Sequence, residues 1–154
     1  MIEYVLVSTE KEYVAAQMLF NEYGKWLDID LSFQNFEKEL ASLRTMYAQP
    51  NGCILLCMHN KQPIACVAVR LQEKNIAELK RMYVQPAFQK KGIGNVLLRK
   101  ALEFSKKAGY KKIRLDTLNT MLPAMHLYEK NGFYKIPPYY FNPEPTAVYF
   151  EKEL

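Results

Sequence analysis

Gln89-Lys90-Lys91-Gly92-Ile93-Gly94 stands between an apolar run that ends at Val84 and an amphipathic run that begins at Ile93. Upstream, Ile76-Ala77-Glu78-Leu79-Lys80-Arg81-Met82-Tyr83-Val84 reads as a strand closed by Gln85-Pro86. Downstream, Ile93, Val96, Leu97, Ala101, Leu102 and Phe104 recur at helical spacing. A strand, a short loop with paired glycines and a helix start bring several unpaired backbone N–H groups to one point, where the helix dipole adds partial positive charge. An anion can settle there without a dedicated side chain, and glycine admits its close approach. Two familiar phosphate loops are excluded by their residues. The dinucleotide fingerprint wants a third small residue where Leu97 stands, and a P-loop wants Gly-Lys-Ser or Gly-Lys-Thr where this chain has Gly94-Asn95-Val96. A glycine pair between a strand and a helix also fits a plain tight turn, so the rest of the chain must decide.

Further on, Lys112-Ile113-Arg114-Leu115-Asp116-Thr117 reads as another strand, and Leu127-Tyr128-Glu129-Lys130-Asn131-Gly132-Phe133 follows it. Ala124 and Tyr128, four apart, share one helical face. Taken together, Gln89-x-x-Gly92-x-Gly94 and the Leu127–Phe133 segment resemble the acyl-CoA motif and the second landmark of the GCN5-related N-acetyltransferase (GNAT) superfamily. The ending Pro137-Pro138-Tyr139-Tyr140-Phe141-Asn142-Pro143 is similar to that of a small bacterial-type branch. The resemblance runs from about Ala77 to the C-terminus. From Met1 to about Gln72 it rests on element order alone.

That order is read from periodicity. Ile2 to Val7 reads as a first strand, and Ser8 or Thr9 caps a helix carrying Val14, Met18 and Leu19, with Gly24 expected to end it. Phe33, Phe36, Leu40 and Leu43 predict a second amphipathic helix, and Pro50-Asn51-Gly52 punctuates the chain. Cys53 to Met58 and Ile64 to Leu71 predict a hairpin about Asn60-Lys61-Gln62-Pro63. The result, β-α-α-β-β-β-α-β-α-β-β, is a mixed α/β fold, and it matches the GNAT core. The resemblance implies a single N-acetyltransferase domain over residues 1–154, with a central, mostly antiparallel sheet flanked by helices and a fourth and fifth strand that splay apart.

Composition bounds the setting. The chain has 154 residues, enough for one hydrophobic core and few for two. No stretch approaches membrane-spanning length and the start does not resemble a signal peptide, so the cytoplasm is expected, with no membrane partner. Cys53, Cys57 and Cys66 lie in apolar strand-like segments and read as reduced core thiols. No histidine follows at zinc-ligand spacing, so no metal is expected. The net charge of +5 suggests anionic partners, with Lys90 and Lys91 in the candidate anion loop. Nucleic-acid binding is the weaker account of that charge, for no reader motif is present.

The resemblance then assigns roles. It implies acetyl-CoA as cosubstrate and acetyl transfer to a primary amine by direct attack in a ternary complex. Met82, Tyr83 and Val84 would contact the cofactor through backbone groups, and Gln89, Lys90, Lys91, Gly92, Ile93, Gly94 and Asn95 would surround its pyrophosphate. Tyr128 matches the family's general acid, since a phenol can protonate a departing thiolate at neutral pH. Glu78 matches the glutamate that serves as base in some branches, with water as the alternative. Many members carry Asn three residues before the Ala124 position; here Met121 stands there, and Asn119 is the nearest substitute. Tyr23 and Trp26 fall where the family shapes its acceptor pocket. A non-catalytic acyl-CoA-binding regulatory module is the alternative reading, and a homodimer is left open.

Overall fold

The structure is a computed structural model that describes residues 1–27 and 29–154, with the Phe33 side chain outside the description. Among the described residues seven strands form one sheet in the order β1-β2-β3-β4-β5-β7-β6. They are β1 (Ile2–Leu6), β2 (Cys53–His59), β3 (Gln62–Glu73), β4 (Ile76–Val84), β5 (Lys112–Leu118), β6 (Tyr134–Ile136) and β7 (Ala147–Glu153). Every neighbouring pair is antiparallel except β4 and β5. Helices α1 (Glu10–Leu27), α2 (Phe36–Ala41) and α3 (Leu43–Met46) belong to one face, α4 (Ile93–Lys107) and α5 (Leu122–Lys130) to the other.

Strand alternation sorts the core onto these two faces. Cys53, Leu55, Cys57, Val67, Val69, Ala77 and Leu79 meet Leu97, Leu98 and Ala101 of α4 and Met125 and Tyr128 of α5. Ile54, Leu56, Cys66 and Ala68 meet Ala16, Leu19 and Phe20 of α1, with Leu43 and Tyr47. All three cysteines are buried free thiols, and Cys53 and Cys57 share a face as their four-residue spacing requires. The β2–β3 turn puts both Asn60 and Lys61 at positive φ, which suits the twist of a two-residue hairpin. Helix α1 starts in a capping box: the Glu12 N–H donates to Thr9 Oγ1, while Glu12 Oε1 accepts from the Ser8 and Thr9 amides.

Two expectations are corrected. Gly24 does not end α1, which runs on to Leu27. A Cβ at Gly24 would lie 2.9 Å from Cε2 of Phe36, so the glycine lets that ring close on the helix. The predicted single helix over 33–43 is instead a 3-10 turn at Ser32–Gln34 followed by α2 and α3, interrupted where Asn35 takes φ 57° and where Ser42 leaves helical dihedrals. Phe36 and Leu40 pack on the core as the periodicity requires, and Leu43 is buried in it.

One irregularity shapes the centre of the sheet. Cys66 pairs with Tyr83 but Ala68 pairs with Lys80, so β4 carries an extra residue there, and Arg81 sits at φ 58°. This bulge reverses the facing of the strand. Leu79 lies on the α4 side before it, and Met82 and Val84 lie on that side after it, while Tyr83 turns to α1. The buried Arg81 then reaches Glu39 of α2 through two hydrogen bonds, Nε to Oε2 at 2.8 Å and Nη2 to Oε1 at 2.7 Å. The Tyr47 hydroxyl donates to the same carboxylate at 2.9 Å. At 5% and 2% exposure respectively, Arg81 and Glu39 are fully committed to one another. Burial alone would raise the Glu39 pKa, but the hydrogen bonds and charge of Arg81 hold it below the usual carboxylate range.

Candidate active site

Strands β4 and β5 pair only at Ile76–Lys112, Ala77–Ile113 and Glu78–Arg114. Beyond that point β4 continues to Val84 and β5 to Leu118 with no pairing between them, so the sheet opens into a wedge. On its outer side β5 stays fully paired with β7, which carries it away from β4. The open edges leave backbone groups available to a chain laid between the strands.

At the mouth of the wedge, the loop after β4 turns into α4. Lys90 and Gly92 both take positive φ, 64° and 83°. Among the described residues, no backbone N–H from Lys90 through Asn95 donates to a protein acceptor, whereas the next amide, Val96, bonds the Gly92 carbonyl. Six consecutive amides at a helix N-terminus, some of them turned by alternating dihedrals, make a concave anion seat. Gln89 anchors the loop instead: its Nε2 donates to the Val84 carbonyl at 3.0 Å. Lys90 and Lys91 are exposed beside the seat, with Lys91 over the Phe88 ring. Ile93 is buried as the first apolar contact of α4. Asn95 accepts from Nδ2 of Asn131, which also donates to the Leu127 carbonyl, so the first turn of α4 is tied to the end of α5.

A Cβ at Gly92 would meet nothing within 4 Å, so the demand there is conformational. Gly92→Ala is expected to cost about 1–2 kcal/mol in chemical denaturation through its left-handed dihedral alone.

Across the wedge, α5 presents Tyr128, 5% exposed and packed against Phe133 and Phe150. Burial pushes its phenol above the ordinary tyrosine range, and the charges of Tyr23 and Asp116 push it the same way. Those two groups belong to the α1 face of the sheet. There a hollow is lined by Tyr23, Leu27, Ile29, Leu31, Gln34 and Arg81 on one side, and by Asp116, Thr117, Leu118, Met121 and Asn142 on the other. Trp26 is exposed, meets the Tyr23 and Tyr83 rings at tilted angles, and does not line the hollow. Asn119 is exposed in the turn beyond β5, its amide bonded to the Thr146 carbonyl.

Glu78 lies at the apex, where the last β4–β5 pair closes, and is 5% exposed. Its Oε2 accepts from the Tyr139 hydroxyl at 2.7 Å and its Oε1 is 3.8 Å from Arg70. Neither Lys80 nor Arg81, its neighbours along the strand, is its salt-bridge partner. Burial lowers the Lys80 pKa, while the charges of Glu78, Glu39 and Asp116 oppose the shift. No motif in the sequence marks Asp116 or Gln34 as partners of the Tyr139-Tyr140 pair. The segment after β6 folds Tyr139 and Tyr140 against each other and against Tyr149, delivering both hydroxyls to the apex carboxylates.

Residues 17–133 match the model of the Acetyltransferase (GNAT) family. The chain belongs to that family. Among relatives of this GNAT protein is an uncharacterized N-acetyltransferase of Schizosaccharomyces pombe, 38% identical over 140 residues, which are 90% of this chain and 86% of the relative. The fold is that of a GNAT acetyltransferase from Staphylococcus aureus Mu50, with a TM-score of 0.82 over 99% of each chain at 20% identity. It is likewise that of the PaiA N-acetyltransferase of Thermoplasma acidophilum, solved with coenzyme A, with a TM-score of 0.75 over 100% of this chain and 99% of that one at 21% identity. Membership brings the activity of the family, acetyl transfer from acetyl-CoA to an amine nitrogen. The six unbonded amides and the unpaired strand edges fit a pyrophosphate with an amide-bearing arm. Among the described residues no helix is long and apolar enough to cross a membrane.

Proposed function

We propose that residues 1–154 form one acetyltransferase domain that carries out direct transfer within a ternary complex. In this reading the amides from Lys90 to Asn95 hold the pyrophosphate, Lys90 and Lys91 add charge at its rim, and the edges at Met82, Tyr83 and Val84 hold the pantetheine arm. Gln89 keeps the loop in register with β4, and Asn119 lies at the arm's side of the β5 turn. Acetyl-CoA supplies an activated acyl group whose carbonyl carbon accepts the amine lone pair as the C–S bond breaks. Tyr128 gives the departing sulfur a proton or a hydrogen bond. Glu78 takes the amine proton through a water, with Tyr139 orienting its carboxylate. Tyr23, with Trp26 behind it, borders the acceptor. The observation that carries the reading is the run of six unbonded amides at the start of α4, next in the chain to a strand that parts from β5 beyond Glu78. Three buried thiols, all unpaired, support a reducing, cytoplasmic setting.

Thiol release from acetyl-CoA with a panel of amines tests this. Release with at least one amine is expected; binding of acetyl-CoA with no release for any amine would leave a carrier or regulator instead. Glu78→Gln is expected to lower kcat about 100-fold with acetyl-CoA affinity unchanged. An unchanged kcat would assign the proton to bulk water.

A further inference from the structure

The hollow lined by Tyr23, Gln34 and Asp116 contains hydrogen-bonding capacity that the protein does not use. Gln34 Oε1 is buried and has no partner, the one such side-chain atom among the described residues. Its orientation is fixed from the other end. Gln34 Nε2 donates to the Tyr140 hydroxyl at 2.8 Å and faces Asp116 Oδ2 at 3.5 Å, and the Tyr140 hydroxyl donates its own proton to Asp116 Oδ2 at 2.6 Å. Turning the carboxamide over would set its oxygen against that hydroxyl oxygen and the carboxylate, leaving an acceptor facing acceptors. Asp116 Oδ2 also receives Asn142 Nδ2 at 3.3 Å, whereas Oδ1 has no protein hydrogen bond among the described residues. A buried acceptor left unpaired is costly, and a water, an ion or the donor of a ligand completes it.

Those two open acceptors call for donors from the ligand. Of the other polar lining groups, Thr117 Oγ1 turns to Met121 Sδ and Asn142 Nδ2 to Asp116, while the Tyr23 hydroxyl has no hydrogen bond among the described residues; Leu27, Ile29, Leu31, Leu118 and Met121 are apolar. The hollow's guanidinium, Arg81, is held bidentate by Glu39 and offers nothing to an anion. Lys80 does not line the hollow, and its charge is shared among Glu78, Glu39 and Asp116.

We propose that Asp116 and Gln34 Oε1 form the seat of the acceptor, taking the N–H groups of a primary ammonium whose stem is apolar, and that the site disfavours acceptors with a carboxylate beside the amine. A carboxylate there would lose its hydration next to Asp116 and gain no cation in exchange. With one N–H on Asp116 Oδ1 and one on Gln34 Oε1, the third N–H is the one given up to the base, leaving the lone pair that attacks the acyl carbon. This seat rests on the transferase reading above and specifies its substrate class.

Pentylamine and norleucine, which share a stem and differ by the carboxylate, make the comparison. Thiol release is followed with each for the native protein, Gln34→Leu and Asp116→Asn, with acetyl-CoA binding measured by calorimetry and folding checked by thermal melting. The expected kcat/KM is at least tenfold higher for pentylamine. Each substitution should raise its KM about tenfold or more while leaving acetyl-CoA affinity unchanged, because hydrogen bonds to a charged group are lost. N,N,N-trimethylpentylammonium, which keeps charge and stem without any N–H, should compete at least tenfold more weakly than pentylamine binds. Should one variant fail to fold, the other variant and the trimethyl competitor still decide. Preference for norleucine, an unchanged KM in the variants, or no release with either amine by a protein that binds acetyl-CoA overturns the seat while sparing the cofactor site. Absence of acetyl-CoA binding overturns the transferase reading and the seat with it.

Discussion

Tyr128→Phe is expected to lower kcat by about 100- to 1,000-fold, within the range a positioned acid contributes, with acetyl-CoA affinity nearly unchanged. The ring makes the packing contacts with Phe133 and Phe150, and Phe preserves them, so the loss is of one hydroxyl. The direction of the Tyr128 pKa fixes the pH behaviour. Burial raises it, so the phenol keeps its proton across the neutral and mildly alkaline range. Native turnover should therefore show no decline from this group near pH 10, where an ordinary tyrosine would ionise. Stopped-flow thiol detection across that range reads both effects, and turnover equal to that of the native protein would remove Tyr128 from the mechanism.

The second large effect concerns stability. Arg81→Met should destabilise the protein by about 3–5 kcal/mol, because it strands the buried Glu39 carboxylate, and this is a large part of a typical domain's margin. Urea denaturation measures it. Replacing both partners, Glu39→Leu with Arg81→Met, should recover most of the loss, since a buried pair exchanged for apolar groups is often neutral. The pair also sets a pH dependence. Glu39 has a folded pKa below its unfolded one, so its contribution is present above the usual glutamate pKa and disappears as pH falls through the depressed value. Arg81 sits on the bulge that reverses β4, so the single variant should also loosen the wedge and weaken acetyl-CoA binding. An Arg81→Met protein as stable as the native one would show that the bulge is held by the sheet alone.

What could be read from the residues follows from how local each device is. The glycine loop, its strand and its helix are contiguous, so spacing exposes them, and Tyr128 is marked by the motif around it. The acceptor side is different. Gln34 meets Tyr140 across 106 residues and Asp116 across 82, and Tyr139 meets Glu78 across 61. No periodicity connects such partners; only closure of the sheet does. The inward turn of Arg81 is equally hidden, because a bulge leaves no mark in the strand pattern. Gly24 misled for a related reason. Glycine is common past helix ends, but here it answers to a ring arriving from Phe36, a contact only the tertiary structure supplies.

The most direct test is calorimetric titration of the folded protein with acetyl-CoA, run beside Gly92→Val. A saturable 1:1 heat is predicted, weakened at least tenfold in the variant, whose side chain distorts the seat and crowds the diphosphate. A native protein with an intact melting transition that gives no heat up to millimolar acetyl-CoA would contradict the assignment of those amides to the cofactor.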